Sequence, residues 1–153
     1  MNGLPLHPAI VHFPIAFAVL IPFLGAAFLL WTRENDSLAQ QLLRVPAVLQ
    51  VVTAIVAFIA QRTGDEDHHQ VEDFVDRALI HEHEEAGELF FIGSIVTAVF
   101  WFASAVAKKP DMARKAAITA VVVGLVAAGL GLRAGEMGGE LVFIHGGAEA
   151  WKP

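Results

Sequence analysis

A chain of 153 residues has room for one domain. At 56% hydrophobic and 17% charged, with a mean hydropathy of +0.58, it is too apolar for an ordinary soluble domain. It has no cysteine, which excludes thiolate metal sites, disulfides and c-type haem attachment within the chain, and its net charge of −6 with no basic run argues against nucleic acid.

The first predicted element covers about residues 8–31. From His7 to Trp31 there is no Asp, Glu, Lys or Arg, and about 20 apolar residues suffice to cross a bilayer as a helix. A signal peptide is not expected, because there is no positive n-region and the apolar run is too long. Pro14 and Pro22 predict kinks, since each removes a backbone hydrogen bond. His7 and His12 stand at the front edge.

The second element covers about 42–62 and carries polar Gln50 and Thr53 inside an apolar run. The acidic stretch that follows, with His68 and His69, reads as a turn. A third helix over about 72–107 opens with a pre-membrane part, where Phe74, Val75, Leu79 and Ile80 give a weak amphipathic pattern. That part carries His81 and His83. The fourth helix covers about 114–135, and a C-terminal tail over 136–153 carries His145. Gly131, Gly135 and Gly139 are spaced by four and predict a helix face without side chains.

Lys and Arg set the expected orientation. Arg33, Arg44, Lys108, Lys109, Arg114 and Lys115 fall in the loops after the first and third segments, which places those loops in the cytoplasm. The fold predicted is all-α: a single transmembrane domain over 1–153, a four-helix bundle in up-down-up-down order with both termini on the periplasmic side. The location predicted is the bacterial inner membrane, multi-pass. All 7 histidines then lie on the outer face.

The fragments LHPAIVHFPIAF, HEEAGEL and GGELVFIHG, with the TGDEDH stretch, resemble the signature stretches of a bacterial membrane-protein family, domain of unknown function 2231. The resemblance covers nearly the whole chain. It implies recurring histidines at His12, His83 and His145, with His7 beside them; His68, His69 and His81 are additional here. Similar domains joined to cytochrome c or Rieske-type modules suggest redox work by analogy.

A lone interfacial histidine is most often a polar anchor, but several on one side point to a function, because ionisable groups at membrane depth are costly. Haem b is the first ligand expected, with neutral imidazoles as axial ligands. His12 and His83 form the first axial pair and His145 a replacement. Ala16 and Gly87, each four residues beyond one of that pair, give a macrocycle flat space, and Arg133 or Arg77 is placed to meet a propionate. The competing reading for the glycines is helix–helix packing.

A bare zinc, copper or iron ion is the alternative, held by His12, His83, His145 and His7 with Glu84 or Glu140. The HEHEE run lacks the HExxH spacing, and Glu84 is read as orienting His83. A third reading is a structural or assembly subunit without a cofactor. No nucleophile constellation and no phosphate loop emerge, so an electron carrier or binding protein is expected rather than a hydrolase or transferase. The expected partners are membrane lipid, a periplasmic cytochrome or other redox protein, and a second copy in a homodimer.

Overall fold

The computed structural model describes residues 5–151. In chain order the helices are α1 (His7–Ile10), α2 (His12–Trp31), α3 (Asp36–Leu42), α4 (Arg44–Val71), α5 (Arg77–Val106) and α6 (Pro110–Phe143), followed by a 3-10 turn over Gly147–Trp151. α5 packs on α4 and α6, and α2 packs on the same two helices, so four long helices close a ring.

Local chemistry accounts for most boundaries. Pro14 has no N–H to give the carbonyl of Ile10, and the helix breaks at Val11 between α1 and α2. Pro22 lies inside α2 without ending it, because it packs against the bare backbone of Gly124. The Asn35 side chain accepts the Leu38 N–H at 3.0 Å, and the Asp76 carboxylate accepts the Ala78 N–H at 2.8 Å, each satisfying a free donor at a helix start. Pro110 opens α6, where a missing N–H costs nothing.

Three expected boundaries are corrected; the third helix starts at Arg77 rather than near 72, because the turn falls at 72–76 and Asp76 caps the helix start. The second helix does not end near residue 62; α4 runs to Val71, and the acidic histidine stretch is helical. No proline interrupts that stretch, and its charged side chains reach water from a helix as readily as from a turn. The fourth helix does not end near 135 but at Phe143, through Gly135, Gly138 and Gly139. Packing of those turns against α5 offsets the weak helix propensity of glycine.

Four stretches, His7–Trp31, Asp36–Val71, Arg77–Val106 and Pro110–Phe143, are long and apolar enough to cross a membrane. The distribution of side-chain size fits that solvent. Buried positions are small: Ala18, Ala47, Ala57, Ala117, Ala120, Ala127 and Ala134 form much of the core. Large apolar side chains face outward, with Phe23 at 63% and Leu30 at 74% exposure. In water this would be a large sticky surface. In lipid it is expected, because helices there associate through small residues and close packing rather than apolar burial.

Several large side chains, Ile21, Leu43 and Phe90 among them, are exceptions, and Trp101 is the largest. Trp101 of α5 is 0% exposed. Its ring fills a notch over Gly25 of α2, where an added Cβ would stand 2.2 Å from the indole Cη2. The polar core groups lie nearby. Gln50 donates through Nε2 to the Ser94 carbonyl at 3.2 Å, joining α4 to α5. Thr53 and Thr97 donate to carbonyls of their own helices.

At the end opposite the histidines, half-buried Arg114 donates to the Thr32 carbonyl at 3.1 Å and the Leu29 carbonyl at 3.4 Å, capping the C-terminus of α2 from α6. A cation there satisfies free carbonyls and complements the helix dipole. Arg114→Gln is expected to lower stability by about 1 kcal/mol. A thermal melt in detergent should show a shift of a few degrees, and an unchanged midpoint would remove Arg114 from the list of stabilising contacts.

Candidate functional site

The first described residues place His7 at the start of α1, against α4. Its ring lies over Gly64, where a Cβ would stand 3.1 Å from Nδ1 and Cε1. Nδ1 is 2.7 Å from the Ala60 carbonyl. A carbonyl only accepts, so Nδ1 carries the proton and, in the neutral ring, Nε2 keeps its lone pair. The Asp67 carboxylate faces the main chain of His7 at the entry of α1.

His83 sits in the second turn of α5. Its ring meets that of His7 edge-on, with centroids 5.9 Å apart and planes at 78°. On the other side the ring rests on α6, where a Cβ at Gly138 would stand 3.0 Å from Cε1, and the Ala134 main chain faces it. His83 Nδ1 is buried with no hydrogen-bond partner among the described residues. Such an orphan in a native fold calls for an explanation, since leaving it unmatched costs about 1–3 kcal/mol. Half-buried Gly87, four residues after His83, and half-buried Gly139, next to Gly138, have nothing within 4 Å of where a Cβ would stand.

A second cluster lies beside this pair and joins α4 to α5. His68 Nδ1 is 2.5 Å from Glu84 Oε1, and His68 Nε2 is 3.8 Å from Glu72. Arg77 reaches Glu72 at 3.1 Å, and His69 approaches it at 3.5 Å. His81 pairs with Glu85 at 3.3 Å on the exposed side. These contacts hold the end of α4 against the start of α5 through groups that stay partly hydrated, so each ion pair adds little by itself.

The candidates from sequence separate into two groups. His7, His83 and Gly87 belong to one place. His12 does not join them; it is exposed, and its Nδ1 lies 2.7 Å from the Pro8 carbonyl one turn back. The break at Val11 rotates α1 relative to α2, and His7 rather than His12 faces α5. Ala16, Arg133, Glu140 and His145 are exposed. His145 lies beyond the end of α6, where no helix sets its direction. Glu84 is taken by His68 and does not orient His83. Among the described residues no three His, Asp or Glu side chains are grouped so as to hold a metal ion.

The family described as predicted membrane protein (DUF2231) matches residues 3–150. The chain belongs to the DUF2231 family. No curated protein and no solved structure matches it. Three groups of this DUF2231 site escaped the sequence reading: Ala60, Gly64 and Gly138. The glycines carried a signal, being bare positions one helix turn or less from polar residues. The spacing-by-four pattern, however, drew attention to Gly139 rather than its neighbour Gly138. In this DUF2231 chain Gly131 instead receives the Phe90 ring, where a Cβ would stand 2.8 Å from Cε2.

Proposed function

We propose that this DUF2231 protein is a small electron carrier of the bacterial inner membrane that holds one haem b between His7 and His83. The carrying observation is the pair of imidazoles from separate helices with centroids 5.9 Å apart. Two imidazoles this close on separate helices could both reach one haem iron and would supply its protein ligands. The nitrogens for the task are His7 Nε2, which the Ala60 bond leaves as an acceptor, and His83 Nδ1, which has no hydrogen-bond partner among the described residues. The carbonyl bond on the far side of His7 is the arrangement that fixes a ligating tautomer.

Haem fits the donor set better than a bare ion does. A porphyrin brings four ligands of its own, so iron asks two side chains of the protein. Zinc asks three or four, and among the described residues no such group is present. Bound haem would supply one-electron iron chemistry; the chain's residues hold, orient and shield it. Open space beside Gly87 and Gly139 favours a flat group there, and exposed Arg133 has no carboxylate within ion-pair distance among the described residues, which leaves it for a propionate. The distribution of Lys and Arg supports an up-down-up-down arrangement with the histidine end and both termini toward the periplasm, where a soluble cytochrome would meet it.

The experiment is purification in detergent after expression with haem precursor supplied. A red protein with a Soret band that shifts on reduction is the expected result. A colourless protein with stoichiometric zinc, copper or iron would replace haem with a bare ion at the same imidazoles. A protein empty of both would leave a structural or assembly subunit. His12→Ala is expected to keep its full haem content, measured as Soret absorbance per polypeptide; loss of haem there would move the axial position from His7 to His12.

A further inference from the structure

α4 and α5 leave between them a groove of about 480 Å³ lined by apolar side chains, among them Val51, Ala54, Phe58, Phe91, Ala98 and Phe102. Its volume lies within the range of about 300–1,000 Å³ found for ligand sites. On α5 it extends from Phe91 to Phe102, eleven steps of about 1.5 Å or roughly 16 Å. That is about half of a hydrocarbon core roughly 30 Å thick, so the groove has the length of one leaflet. A second helix laid along this face would need apolar contact over the full thickness.

The end of the groove nearest the histidines is charged. The Phe58 and Phe91 rings meet there at 5.8 Å, and the Arg62 guanidinium lies 5.3 Å over Phe58. Among the described residues Arg62 has no carboxylate within ion-pair distance. Glu88 on α5 stands one turn beyond Phe91, level with Arg62, and is exposed and likewise unpaired; Asp65 and Glu66 lie one turn further along α4. The rim thus offers one cation for a phosphate and several anions around it. A headgroup with only negative charge would be repelled by those carboxylates, whereas one with both a phosphate and an amine meets both signs.

We infer that the α4–α5 groove is a binding site for one bilayer phospholipid with a phosphate–amine headgroup, its phosphate on Arg62, its amine toward Glu88 and an acyl chain in the groove. The test is native mass spectrometry of the whole protein released from bilayers of mixed phosphatidylethanolamine and phosphatidylglycerol. The wild type is expected to retain one phospholipid, the ethanolamine form at least several-fold enriched over its share of the bilayer. Arg62→Gln is expected to reduce retention about tenfold by removing the phosphate contact. Ala98→Phe is expected to do the same by filling the groove. Circular dichroism checks that both variants keep the helical fold. Equal retention in wild type and both folded variants would overturn the site, as would a second copy of the chain retained in place of lipid. Enrichment of the glycerol form would overturn the role given to Glu88.

Discussion

Trp101→Ala is expected to lower the stability of the bundle by about 3 kcal/mol. In a membrane the transfer part of such a loss largely vanishes, because lipid tails are as apolar as the core. The cavity part remains: a space on the order of 130 Å³ at about 24 cal/mol per Å³ gives about 3 kcal/mol. The site has little means of collapse, since the wall opposite the indole is the backbone at Gly25, not a side chain that could swing inward. For a chain of this size that corresponds to a drop of roughly 6–12 °C in the melting midpoint. Gly25→Leu is expected to be at least as damaging, because the new side chain and the ring claim the same volume. Trp101→Phe gives the contrast. It keeps most of the ring and deletes an indole N–H that is buried without a partner among the described residues, so a small effect is expected. Thermal melts of the three variants in one detergent check the set. A Trp101→Ala protein as stable as wild type would show that the notch contributes no net packing energy.

His83→Ala is expected to abolish haem binding, and His7→Ala to reduce it at least tenfold while both proteins remain folded. The two losses differ in origin. His83 supplies a nitrogen that has no other partner among the described residues, so its removal takes away a ligand and relieves a buried orphan. The apo His83→Ala bundle should therefore melt no lower than the apo wild type. His7 also ties α1 to α4 through the Ala60 carbonyl, so its removal should lower the apo melting midpoint slightly. His7→Gln can restore that tie without restoring an imidazole. Recovery of the midpoint without recovery of the Soret band in His7→Gln would separate the tether from the ligand. Full Soret absorbance in both alanine variants would defeat the pair.

Much of the architecture was legible because hydropathy is a local property. The uncharged run from His7 to Trp31 and the three later apolar runs identify four spans whatever their neighbours do. The candidate site was less legible because it depends on helix phase. The buried face of α6 steps through Ala120, Gly124, Ala127, Gly131 and Ala134, alternating three and four residues as a 3.6-residue repeat requires. A strict spacing of four drifts off that face by about 40° per step. It therefore led from Gly131 to exposed Gly135, while the position that receives His83 is Gly138. The same sensitivity undid the pairing of His12 with His83. A single break at Val11 turned His7 inward and left His12 on the surface, and no count of residues along the chain sets that rotation.

The sequence by itself determined the solvent and the class: four apolar runs, small residues among large ones, and motifs that place the chain in the DUF2231 family. Composition suffices there, because the free energy of placing a segment in lipid is close to a sum over its residues. Only the tertiary structure decided which imidazoles meet, that Glu84 serves His68 and not His83, and that one tryptophan lies on a glycine of another helix. Those outcomes depend on the rotation of each helix about its axis. Rotation is set by close contacts between elements far apart in the chain, where a displacement of one residue turns a side chain through about 100°.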